Sequence, residues 1–102
     1  MTTPERYNEF FGSMLSSCNE NKEEDNFIIR QAIGKPEGTS LSCSNIIEHL
    51  INTKNASVYI SGVRILTLIL FGGNGSKTIP EKIGVKIVAN LVKEGFEKGL
   101  LS

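Results

Sequence analysis

The chain has 102 residues, no tryptophan, two cysteines, and eleven acidic side chains balancing eleven basic ones. That length suits one domain, residues 1–102, able to bury a core without disulfide or metal as a staple. Zero net charge argues against a nucleic-acid partner, whose affinity comes largely from phosphate neutralisation, and no apolar stretch with a basic leader follows Met1, which points to a cytoplasmic chain with Cys18 and Cys43 reduced.

Thr3-Pro4-Glu5 reads as a helix start, with a hydroxyl cap, a proline at the first helical position and an acid near the positive dipole end. Tyr7, Phe10, Phe11, Met14, Leu15 and Cys18 then recur at three–four spacing and predict an amphipathic helix from about Pro4 to Cys18. A second helix opens at Asn21 or Lys22, with Glu23, Glu24 and Asp25 in its first turn. Phe27, Ile28, Ala32 and Ile33 are its expected buried face, and Gly34 with Pro36 closes it. Pro and Gly mark residues 35–40 as a loop. Ser40 or Ser42 caps a third helix with Cys43, Ile46, Ile47, Leu50 and Ile51 on one face, and Asn55 caps the next directly.

Residues 56–71 (ASVYISGVRILTLILF) organise the rest of the chain. Their polar members, Ser57, Ser61, Arg64 and Thr67, form one narrow stripe on a helix and would scatter over both faces of a strand. An element apolar everywhere else is packed by neighbours on most sides. It is too short to cross a bilayer, with Arg64 at its middle, so no membrane role is expected. Gly72 to Lys77 is a glycine loop, after which Thr78 and Glu81 have the spacing of a capping box. The last helix, about Ile79 to Lys98, places Lys82, Lys86, Lys93 and Glu97 on a wet side and Ile83, Ile87, Val88, Leu91, Val92 and Phe96 on a dry one. Gly84, Gly95 and Gly99 weaken it, each by up to about 1 kcal/mol relative to Ala, so its end is expected to fray. The fold class is therefore all-α, a compact bundle of about five helices around the central hydrophobic helix 56–71.

The glycine loop imitates a phosphate-binding P-loop, but Ser76 separates Gly75 from Lys77, and no strand ending in Asp follows to hold magnesium. What survives is a weak anion site at Gly75, Ser76 and Lys77 beside a helix start; no cofactor is implied. His49, the one histidine, and two cysteines at no recognisable spacing do not make a zinc set. Glu20, Glu23, Glu24 and Asp25 sit at an exposed helix start, without apolar surroundings to shift a pKa, and suit dipole compensation or an acidic docking patch. Asn45, Glu48 and His49 on the third helix lack the Arg and Lys that base readout leans on, and Glu81, Glu94 and Glu97 dilute the lysines of the last helix.

Tyr7, Phe10 and Phe11 are either core or an interface, and whichever of the adjacent phenylalanines stays exposed would mark the interface. These readings converge on a small non-catalytic domain that binds and occludes another protein, as inhibitor, immunity-type or adaptor proteins do. Tyr7, Phe10 or Phe11 would anchor the contact, Glu23 and Glu24 would guide it, and a homodimer suits so apolar a first helix. The alternatives are a helical DNA-binding regulator using the final helix and Lys77, and a small-anion binder using the loop 72–78.

Overall fold

A computed structural model describes residues 4–16, 22–71 and 79–101. Among them lie five helices and no strand: α1 (Pro4–Ser16), α2 (Lys22–Ile33), α3 (Cys43–Asn52), α4 (Ala56–Phe71) and α5 (Glu81–Glu97). The proposed caps Thr3 and Thr78, and Cys18, fall outside the described residues.

Three of the local signals act as expected. The Ser42 hydroxyl accepts the Asn45 N–H at 3.2 Å, and Asn55 Oδ1 accepts the Val58 N–H at 3.1 Å, so each helix start has a partner for an otherwise orphaned donor. Gly34, at φ +82°, lets the Gly34 and Lys35 amides both turn back onto the Arg30 carbonyl and end α2. The start of α5 differs. Pro80 occupies the N-cap position without a side-chain hydrogen bond, so Glu81 is the first helical residue rather than the third, which a capping box requires.

Helix α4 is the hub, packing against α1, α2, α3 and α5; its contact with α2 is the most extensive. Helix α1 lies on α4 and α5, and α3 on α2 and α4. One apolar cluster takes residues from every helix, including Met14, Ile29, Ile46, Leu50, Leu66 and Val92. The expected faces of α3 and α5 are each wrong at one residue, whereas on α2 the buried residues are Asp25 and Ile29, and the expected Ile28, Ala32 and Ile33 are only half-buried. Phe27, Ile51 and Ile83 were expected to be buried; they are 64%, 55% and 49% exposed. The stripe on α4 also departs from a simple wet edge, because Ser61 and Thr67 are buried while Ser57 is exposed.

Two glycines bring elements closer than a side chain allows. A Cβ on Gly62 would stand 2.6 Å from Leu50 Cδ2, and one on Gly95 would stand 2.5 Å from Leu101 Cδ1 and 2.6 Å from Tyr59 Cε1. The end of α5 is therefore fastened, not frayed. Gly99, at φ +74°, reverses the chain, the Leu100 and Leu101 amides donate to the Gly95 carbonyl, and Leu101 is buried in the core.

Tyr59, fully buried, donates its hydroxyl to the Leu91 carbonyl at 2.6 Å. Burial, and then the charge of Glu94, push its pKa up to about 12. Tyr59→Phe keeps the ring and removes this α4–α5 bond, with an expected loss of about 1 kcal/mol in urea unfolding. An unchanged midpoint would show that the bond contributes nothing net.

Candidate functional site

The side chains at the start of α2 are set by a polar contact with α4. Asp25 is 2% exposed. Its Oδ1 accepts the Ser61 hydroxyl at 3.1 Å and faces Arg64 Nη1 at 3.3 Å. Its other oxygen, Oδ2, is buried and accepts nothing from the described residues. Burial raises the Asp25 pKa above the usual carboxylate value, Arg64 and Ser61 pull it part of the way back, and the Glu24 charge pushes it up. Asp25 thus departs from the expectation of an unshifted acid at an exposed helix start.

This contact fixes the rotation of α2. Residues two apart on a helix point about 200° from each other. With Asp25 and Ile29 facing α4, Phe27 between them must face away. It stands in a groove of about 510 Å³ between α2 and the loop after it, with Glu23, Arg30, Pro36 and Glu37 among the lining residues. The far wall is held in shape by Arg30, which donates to the Pro36 carbonyl at 3.0 Å, to Thr39 Oγ1 at 3.2 Å and to the Thr39 carbonyl at 2.7 Å. The Thr39 hydroxyl in turn donates to the Pro36 carbonyl at 2.7 Å. Phe27 thus lies exposed beside a wall whose Arg30 and Thr39 side chains are held by hydrogen bonds.

The sequence-derived candidates divide. Glu23 and Glu24 are exposed, one turn before Phe27 and on its side of the helix, and Glu23 lines the groove. Tyr7, Phe10 and Phe11 are all half-buried and pack on the core. The Tyr7 ring lies 5.6 Å from that of Phe96, the Phe10 ring meets Phe96 edge-on at 5.2 Å, and the Arg6 guanidinium lies 5.6 Å over the same ring. Neither phenylalanine is left open to mark an interface. Helices α1 and α2 do not pack on each other among the described residues, so the aromatic and acidic halves of the expected surface stand on separate elements.

Gly75, Ser76 and Lys77 lie outside the described residues. Lys82, Lys86 and Lys93 are exposed on α5 alongside Glu81, Glu94 and Glu97, a mixed face without a basic field. Cys43, half-buried at the first position of α3, has its thiol pKa raised by burial, the opposite of an activated nucleophile. Among the described residues, no three His, Cys, Asp or Glu side chains are grouped to hold a metal, and no helix is long and apolar enough to cross a membrane.

Phe27 is the residue that sequence reasoning missed as a site. Its signal was present as three consecutive apolar residues, Phe27-Ile28-Ile29, more than one helix face can bury. Comparison with family models, characterised proteins and solved structures gives no match.

Proposed function

We propose that this chain is a non-catalytic protein-binding domain that occludes a partner protein, in the manner of an inhibitor, immunity-type or adaptor protein. The observation that carries this reading is Phe27, 64% exposed in a groove whose loop wall is pinned by Arg30. Aromatic anchors that fill a pocket on a partner dominate interface energetics, and Phe27 beside a shaped groove wall is placed to act as one. Phe27 takes the anchoring role in place of the half-buried Tyr7, Phe10 and Phe11. Glu23 and Glu24 beside it favour a partner with a basic rim around an apolar pocket.

The test is capture of partner chains from the source cell with the tagged protein and with Phe27→Ser. A polypeptide held by the parent should lose at least about 2 kcal/mol of binding, roughly 30-fold in affinity, in the variant. Phe27 is exposed, so the melting temperature should not fall. Equal recovery by both proteins would refute the assignment of the groove.

A further inference from the structure

We propose that α2 opens from α4 on its own, as a pH-sensitive latch that neutral Asp25 holds closed and ionised Asp25 loosens. Two features of the geometry carry this. The first is how α2 is held. Among the described residues it packs on α4 and, less extensively, on α3, while α1, α4 and α5 pack on one another without it. An element held in this way can leave while the rest stays docked, and its opening carries the buried Asp25 and Ile29 into water.

The second is how the carboxylate is met. The Ser61 hydroxyl, at 3.1 Å, and Arg64 Nη1, at 3.3 Å, both reach Oδ1. The guanidinium therefore lacks the two parallel bonds that make such pairs strong. Oδ2 is buried and accepts nothing from the described residues. Ionisation spreads the charge over both oxygens and leaves part of it buried without a donor, which costs far more than burying a neutral polar group. Opening lets water reach Oδ2. The open state thus favours the ionised acid, and the closed state the neutral one.

Burial is accordingly the main cause that raises the Asp25 pKa in the fold. Arg64 of α4, with Ser61, draws it down, and Glu24 of α2 pushes it up. The titratable side chains of α3, the other helix packed on α2, are Cys43, Glu48 and His49, and none of them acts on it. Below the unfolded value, about 3.9, Asp25 is neutral in both states and the latch is at its tightest. As pH rises through the folded value, opening becomes more favourable, by up to about tenfold for each unit that separates the two values.

Amide hydrogen exchange of the whole chain from about pH 4 to about pH 7 tests this, with each rate divided by the unstructured-chain rate at the same pH to give an opening constant. At pH 7 the slowest amides of α2 should open at least about tenfold more often than the slowest of α5. Equal constants would mean that α2 opens only with the whole fold, and would overturn the proposal. The α2 constants should rise with pH in the parent and stay level in Asp25→Asn, which keeps the shape of the side chain and removes its titration. A parent whose α2 constants are level or fall, or a variant that keeps the parent's rise, would also overturn it. The parent alone supplies a second readout: the carboxyl carbon of Asp25, followed by NMR, should titrate above about 3.9, and a midpoint at or below that value would overturn the latch. None of these outcomes depends on what Phe27 binds.

Discussion

Arg64→Ala should destabilise the protein by about 2–3 kcal/mol at pH 7, while Asp25→Asn should change stability by less than about 1 kcal/mol, although the two residues form one ion pair. The asymmetry follows from burial. Asp25 is 2% exposed and the Arg64 side chain 37%. Removing the arginine leaves a buried carboxylate with Ser61 as its remaining hydrogen-bond partner, whereas removing the acid leaves a guanidinium that can turn to water. Breaking a fully buried pair costs about 3–5 kcal/mol, and the partial exposure of Arg64 reduces the figure here.

The pH dependence sharpens the test. The folded Asp25 pKa is raised above its ordinary value, chiefly by burial, so the fold prefers the protonated acid. The stability tied to its titration is fully present below the unfolded pKa, about 3.9, and is lost as pH rises through the folded value. Without Arg64 the folded value rises further and the loss grows. The gap between Arg64→Ala and the parent in urea midpoint should therefore be widest at neutral pH and narrow towards pH 4. Equal losses for the two variants at pH 7 would show that the pair carries no such imbalance.

Gly95→Ala should cost about 2 kcal/mol, against the gain of about 1 kcal/mol that alanine normally brings to a helix interior. The new Cβ would stand 2.6 Å from both Leu101 Cγ and Tyr59 Cε1. Tyr59 is fully buried and held by its hydroxyl bond to the Leu91 carbonyl. Leu101 must then leave the core, taking with it the turn that fastens α5. A double variant with Leu101→Ala should cost less than the sum of the two single losses, because both remove the same contact. Thermal unfolding of the four proteins reads this directly, and strict additivity would place the strain elsewhere.

Much of the fold was legible because it depends on neighbours in sequence. Ser42, Asn55 and Gly34 stop and start helices by bonds spanning three or four residues, and the three–four recurrence of apolar side chains places the helices themselves. The rotation of α2 was not legible. It turns on Asp25 meeting Ser61 and Arg64, 36 and 39 residues away, and nothing local distinguishes Asp25 from its acidic neighbours Glu23 and Glu24. The same long-range contact decides that Phe27 is exposed, so the groove was hidden for the same reason. Gly95 was read as a weak helical residue because propensity is local, while its use, a close approach by Tyr59 and Leu101, is tertiary.

The arrangement of α1 affects what its aromatic rings can do. Among the described residues, helix α1 packs on α4 and α5, whereas α4 packs on all four other helices. An excursion that lifts α1 while the remaining helices stay docked would uncover Tyr7, Phe10, Phe11 and the ring of Phe96 at once. Such partial openings occupy a minor fraction of the molecules at equilibrium. A partner that takes those rings would be selecting that minority, and its apparent affinity would be reduced by the fraction open. A partner that takes Phe27 meets no such reduction, because the ring is already outside.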